Sequence, residues 1–92
     1  MTERLWQQRV LDLAKFRGWI AYHTYDSRRS QPGFPDLVLL RRNRCVVTEL
    51  KTDRGLVTEA QQHWLSAFEH VERLDTFLWR PADWPKVVEV LR

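Results

Sequence analysis

The chain holds one cysteine, Cys45, in 92 residues, and a single thiol excludes an intrachain disulfide framework. Such sparing use of cysteine fits a reducing compartment. His23, His63 and His70 are the only histidines, and with Cys45 they show no zinc-ligand spacing. No paired Cys and His supports acyl chemistry, so Cys45 reads as a small packing residue. The three glycines, Gly18, Gly33 and Gly55, stand far apart. No glycine-rich loop can therefore cradle the phosphates of a nucleotide, and no nucleotide cofactor is expected. No apolar run approaches the ~20 residues of a membrane span. Met1 to Val10 is polar and charged, without the apolar segment of a secretory leader. Internal repeats, low-complexity tracts and linkers are missing too.

What remains is a globular composition, 43% hydrophobic and 29% charged, of a length that suits one domain over residues 1–92. A domain of this size buries only about two thirds of the surface of its unfolded chain, so dimerisation would help it. Fifteen Lys and Arg against twelve Asp and Glu leave a net charge of +3, which favours an acidic partner such as nucleic acid. Five tryptophans are many for this length; some are expected in the core and others exposed toward a partner.

Thr2 suits an N-cap, and Leu5, Trp6, Val10, Leu13 and Phe16 or Ala14 recur at helical spacing, so a helix is expected from Glu3 to Arg17 with Gly18 as its stop. Trp19–Tyr25 is rich in β-branched and aromatic residues and reads as a strand. Asp26–Pro35 is a loop. Asp36–Leu40 and Cys45–Lys51 form a hairpin around Arg41–Arg44, where Asn43 tolerates a left-handed conformation. Leu56–Val71 is a second helix, with Thr58 and Gln61 spaced as a capping box. Thr76–Pro81 is a fourth strand, and a terminal helix starts around Pro85. The order α-β-β-β-α-β-α implies an α/β fold, a mixed sheet flanked by helices, with the third and fourth strands parallel across a right-handed crossover.

The stretch GFPDLVLLRRNRCVVTELK, Gly33 to Lys51, places charge where charge is costly. Residues i and i+2 of a strand share a face, so Glu49 and Lys51 are neighbours. Asp36, opening the partner strand, can reach the same volume. Buried charges of this kind must be paired or hold a metal. Hydrolysis of a phosphodiester needs the phosphate neutralised, a water activated and the leaving oxygen stabilised, and Mg²⁺ serves these needs through carboxylate ligands. Asp36 and Glu49 are the candidate ligands, with the Leu50 main-chain carbonyl as a further one. Lys51 is the candidate for orienting or deprotonating water, or for stabilising charge on phosphate. Glu-x-Lys alone is explained as an ion pair on a solvated face; the combination on adjacent strands is more specific.

GFPDLVLL, then TELK, then LVTEAQQHW resembles the PD-(D/E)XK nuclease superfamily, and within it the VRR-Nuc family in its compact stand-alone phage or bacterial form. The resemblance covers nearly the whole chain. It implies a restriction-endonuclease-like fold and a Mg²⁺- or Mn²⁺-dependent nuclease. Asp36 and Glu49 would be metal ligands and Lys51 the catalytic lysine. Gln61 would stand near the active site, and Glu3 would assist metal binding. It also implies a homodimer acting on branched DNA such as a Holliday junction, in the cytoplasm of a bacterial or phage-infected cell.

Around this centre, Ser27, Arg28, Arg29 and Ser30 are candidates for holding DNA phosphates, although a solvated charged loop explains them too. Arg41, Arg42 and Arg44 at the hairpin tip would grip flanking DNA or keep the tip soluble. Gln61 is equally explained by the capping box alone, and His23 by packing in the core. The competing reading of the whole chain is a branched nucleic-acid-binding module that does not cut.

Overall fold

The Thr2 hydroxyl accepts the Leu5 N–H at 3.1 Å, which satisfies an otherwise orphaned amide and starts α1, Glu3–Phe16. The helix ends where Gly18 takes a φ of 84°, a left-handed turn open to glycine. The computed structural model describes residues 1–25 and 29–92. After α1 come β1 (Ile20–His23), β2 (Leu37–Arg41), β3 (Arg44–Leu50), α2 (Glu59–Glu69), β4 (Leu74–Trp79), a 3₁₀ turn (Pro81–Asp83) and α3 (Trp84–Val90). The sheet order is β1-β2-β3-β4. β1 pairs β2 antiparallel, β2 pairs β3 antiparallel and β3 pairs β4 parallel. The α-β-β-β-α-β-α order and the mixed sheet are those expected from the sequence. No helix among the described residues is long and apolar enough to cross a membrane.

Alternation along the strands decides what each face meets. Leu37 and Leu39 of β2 and Val46 and Leu50 of β3 join Trp6, Val10 and Ala14 of α1 and Val87 of α3 in one buried core. Burying a leucine or valine fully contributes about 1.5–3 kcal/mol. Two indole N–H groups lock the layers together: Trp6 donates to the Trp79 carbonyl at 3.0 Å and Trp19 to the Leu91 carbonyl at 3.1 Å.

Several local expectations are corrected. The buried stripe of α1 is Trp6, Val10, Leu11 and Ala14, whereas Leu5 and Phe16 are exposed; the stripe is rotated toward Leu11 because α1 packs on the core that the sheet shares with Val87 and Leu91. At the hairpin tip Arg42, not Asn43, takes the left-handed conformation, at φ 55°. No tryptophan is exposed: Trp6, Trp19 and Trp79 are buried and Trp64 and Trp84 half-buried. A small domain has used all five to fill itself. Val71, expected on the apolar face of α2, lies beyond the helix and is exposed.

Candidate metal centre

The pairing of β2 with β3 ends at Leu37 opposite Thr48, while β3 continues to Leu50. Past that point the β3 amides need another acceptor. The Leu50 N–H donates to Asp36 Oδ2 at 2.8 Å, so the Asp36 carboxylate stands in for a strand at the place where the two chains part. Its backbone is fixed from β1: the Thr24 N–H donates to the Asp36 carbonyl at 2.9 Å and the Thr24 hydroxyl to the Pro35 carbonyl at 2.8 Å. Leu50, the expected source of a main-chain ligand, thus borders the site.

Glu49 is 1% exposed and Lys51 is 8% exposed. The Lys51 N–H donates to the Trp79 carbonyl at 3.0 Å, which extends the parallel pairing one step past the strand. Carboxylate oxygens of Glu3, Asp36 and Glu49 lie within 4.8 Å of one another. The first turn of α1, the start of β2 and the end of β3 therefore converge. Glu49 Oε1 accepts from Gln61 Nε2 at 3.4 Å, and Glu49 Oε2 is buried without a partner. Burial pushes the Glu49 carboxyl up to about 9; a hydrogen bond with Asp36 and the charges of Asp36 and Glu3 add to the rise, and the Lys51 ammonium opposes it.

A buried carboxylate with an orphaned oxygen, facing two more carboxylates, is costly unless a positive charge sits among them. The donor set is all hard oxygen, with no imidazole or thiolate, and so fits Mg²⁺ or Mn²⁺ better than zinc. His23 is half-buried against Tyr25, ring centroids 5.6 Å apart, and lies neither among these ligands nor in the buried core.

Gln61 does two things at once. Its N–H donates to the Thr58 hydroxyl at 3.1 Å, and its Oε1 accepts the Thr58 N–H at 2.9 Å, which is the expected capping box. The Nε2 left over reaches Glu49. The cap thus aims the amide at the carboxylate.

Two supports were not legible in the sequence. Gly33 has a φ of 88°, and a Cβ there would stand 2.4 Å from the Ala60 main-chain carbon and 2.7 Å from the Gln61 nitrogen. The loop before Asp36 is docked on the first turn of α2, and Trp64 Nε1 ties the same loop by donating to the Pro32 carbonyl at 3.0 Å. Pro32-Gly33 signals a turn in the sequence, but not its contact. Arg80 Nη1 donates to the Thr52 and Gly55 carbonyls at 2.6 and 2.8 Å. That turn lies along Lys51, whose Cδ is 3.3 Å from where a Gly55 Cβ would stand.

Of the expected DNA contacts, Ser27 and Arg28 lie outside the described residues, and Arg29 and Ser30 are exposed. At the hairpin tip Arg41 donates to the carbonyls of Arg17, Leu91 and Arg92 and Arg44 to that of Val90. Both guanidinium groups also stack over Trp19. They clamp the C-terminal helix, which leaves Arg42 as the exposed arginine of the three.

A sequence profile of the VRR-NUC domain matches residues 4–74. Asp36, Glu49, Lys51 and Gln61 fall within that span and Glu3 one residue before it. Among solved structures, a VRR_NUC domain protein superimposes with a TM-score of 0.73 at 20% identity, covering 99% of this chain and 85% of its own. Archaeoglobus fulgidus Hjc, a Holliday junction resolvase from an archaeal hyperthermophile, superimposes with a TM-score of 0.57 at 20% identity, over 85% of this chain and 67% of its own. At such identity both likenesses establish a shared fold. No curated protein sequence matches the chain.

Proposed function

This chain belongs to the VRR-NUC domain family, and on that premise we propose that it is a divalent-metal-dependent DNA endonuclease that hydrolyses phosphodiester bonds at branch points. Nuclease is the activity the family carries. The observation that supports this reading most is the convergence of Glu3, Asp36 and Glu49 within 4.8 Å beside a buried lysine. A module that only binds DNA gains nothing from three carboxylates aimed at phosphate.

Asp36 and Glu49 would hold the ion, with Glu3 as a third carboxylate and the Leu50 carbonyl as a main-chain donor. A bound Mg²⁺ or Mn²⁺ would neutralise the phosphate and make an attacking water more acidic. Gln61 would orient the Glu49 carboxylate through its 3.4 Å contact. Lys51 lies along the 52–55 turn, and its ammonium would orient the water or meet charge developing on the phosphate. Arg29, Ser30 and Arg42, together with Ser27 and Arg28, would contact the DNA backbone.

The preference for branched DNA rests on the fold shared with a Holliday junction resolvase and on size. A single domain over residues 1–92 has little surface for reading bases, whereas a homodimer offers one centre to each of two symmetry-related strands. The reading also places the protein in the cytoplasm of a bacterial or phage-infected cell, where such DNA occurs.

The test uses labelled four-way junction, fork, duplex and single-stranded DNA, each with Mg²⁺, Mn²⁺ or EDTA. Symmetric, metal-requiring cuts in the junction above all other substrates support the reading. Equal cutting of every substrate removes the branch preference, and binding without cutting in either metal replaces the enzyme with a binding module.

A further inference from the structure

The side of the sheet that carries α2 holds a concave surface not used by the reading above. Tyr22, Thr24, Ser30, Gln31, Phe34 and Trp64 line a cleft of about 300 Å³. Three of these residues are aromatic and three are polar. Tyr22 alternates with Ala21, which packs on the core, so Tyr22 faces the α2 side and stands 63% exposed. Phe34 and Trp64 meet edge to face with centroids 5.1 Å apart, and Trp64 stacks on Phe68 at 6.0 Å. Trp64 spends its indole N–H on the Pro32 carbonyl, which fixes the ring.

This cleft is joined to the metal centre by two short connections. Phe34 stands two residues before Asp36, and Thr24 holds both the Pro35 and the Asp36 carbonyls. On α2, Trp64 follows Gln61 by three residues, so the two share a stripe about one helical turn apart. Gln61 reaches Glu49, and Trp64 lines the cleft. The loop that carries Asp36 and the helix that carries Gln61 thus also supply Phe34 and Trp64 to the recess.

We propose that this cleft is a subsite for one unpaired nucleobase next to the scissile phosphate, with Tyr22 as its exposed stacking face and Gln31 among its polar lining. Every base has a π-face, so aromatic walls select for an unstacked base rather than for a sequence. In duplex DNA the base is held in its stack, and at a branch point it is more easily released. The proposal rests on the endonuclease reading, and it supplies that reading with a source of branch preference that needs no base-specific contact.

The experiment places a single 2-aminopurine, in turn, at each nucleotide around the branch of a four-way junction. The DNA is bound by Lys51→Ala protein in Mg²⁺, which keeps it uncut, and by the same protein carrying Tyr22→Ala or Tyr22→Phe. Tyr22 is exposed, so neither change threatens folding. The expected result is fluorescence quenching at one position beside the cut, kept in Tyr22→Phe and lost in Tyr22→Ala. An abasic site at that position should weaken binding roughly 5- to 150-fold, the range of base–aromatic stacking, and Tyr22→Ala protein should not sense it. Quenching at no position, or quenching unchanged by Tyr22→Ala, overturns the subsite. So does a Tyr22→Ala protein with altered oligomeric state and unaltered DNA binding, which would make Tyr22 a protein contact. The two readings fail separately. Wild-type cutting without quenching leaves the nuclease and removes the subsite, and quenching without wild-type cutting removes the nuclease and leaves only a base-binding cleft with no scissile phosphate beside it.

Discussion

Replacing Glu49 by glutamine should make the metal-free protein more stable while abolishing its response to metal. In the folded protein the Glu49 carboxyl is pushed up to about 9 from an ordinary 4.5, chiefly by burial, and its Oε2 has no partner. A carboxyl raised on folding takes up a proton when the chain folds. Its contribution to stability is therefore complete below pH 4.5 and is lost progressively as pH rises toward 9. One fully linked proton is worth about 1.4 kcal/mol per pH unit, so three units, from 4.5 to 7.5, set a ceiling of about 4 kcal/mol. Relaxation around the site lowers this to about 1–3 kcal/mol, and each kcal/mol moves the melting temperature of a domain this size by about 4–8 °C. Thermal denaturation in EDTA should find Glu49→Gln more stable than wild type at pH 7.5 and nearly equal to it at pH 4.5. Mg²⁺ or Mn²⁺ should then stabilise the wild type by about 2.7 kcal/mol at a hundredfold excess over Kd, seen as a higher Tm, and leave Glu49→Gln almost unmoved. A Glu49→Gln protein less stable than wild type at pH 7.5, or a gap that does not widen with pH, would refute the electrostatic argument.

Gly18 and Gly33 share left-handed backbones, at φ 84° and 88°, but only Gly33 has backbone where a Cβ would go. Gly18→Ala should cost about 1–2 kcal/mol in denaturant unfolding and keep full cleavage; Gly33→Ala should cost more and lose at least tenfold in kcat, because α2 and Gln61 must move. Gln61→Ala removes the side-chain half of the capping box, the bond to the Thr58 N–H, and the Glu49 contact, while the Thr58 hydroxyl still caps α2; stability should drop by up to about 1 kcal/mol and metal affinity should fall in calorimetry. Arg80→Ala frees the turn beside Lys51, and single-turnover kinetics should show a lower cleavage rate with DNA affinity unchanged.

How much was readable from sequence depended on the range of the interaction. The Thr58–Gln61 box, the Gly18 stop and the β2–β3 hairpin are local, and each was legible. Glu49 and Lys51 were legible because period-two alternation puts them side by side, and Asp36 because a hairpin brings its ends together. Glu3 entered only through family resemblance, since nothing local says where the start of α1 will lie. The fate of Arg41 was hidden for the same reason. Its acceptors at Leu91 and Arg92 are 50 and 51 residues away, and an arginine at a turn looks equally ready for solvent, phosphate or a distant carbonyl. Leu5 and Phe16 fit a helical stripe as well as Leu11 does; which residues are covered was decided by α3 and the sheet. The Gly33 contact with Ala60 depends on how α2 docks, which no pattern of residue types records.

The proposed function requires that Asp36, Glu49 and Lys51 form a hydrolytic centre rather than an ion-paired cluster. The direct measurement is single-turnover cleavage of a four-way junction in Mg²⁺ by wild-type and Lys51→Ala protein, with DNA affinity measured alongside in EDTA. Metal-dependent cutting by wild type is expected, with a loss of at least a hundredfold in Lys51→Ala, from about 10²–10⁴-fold for a positioned acid–base group, and equal affinity for the two proteins. Equal cutting by both proteins, or no cutting by either with DNA bound, would contradict it.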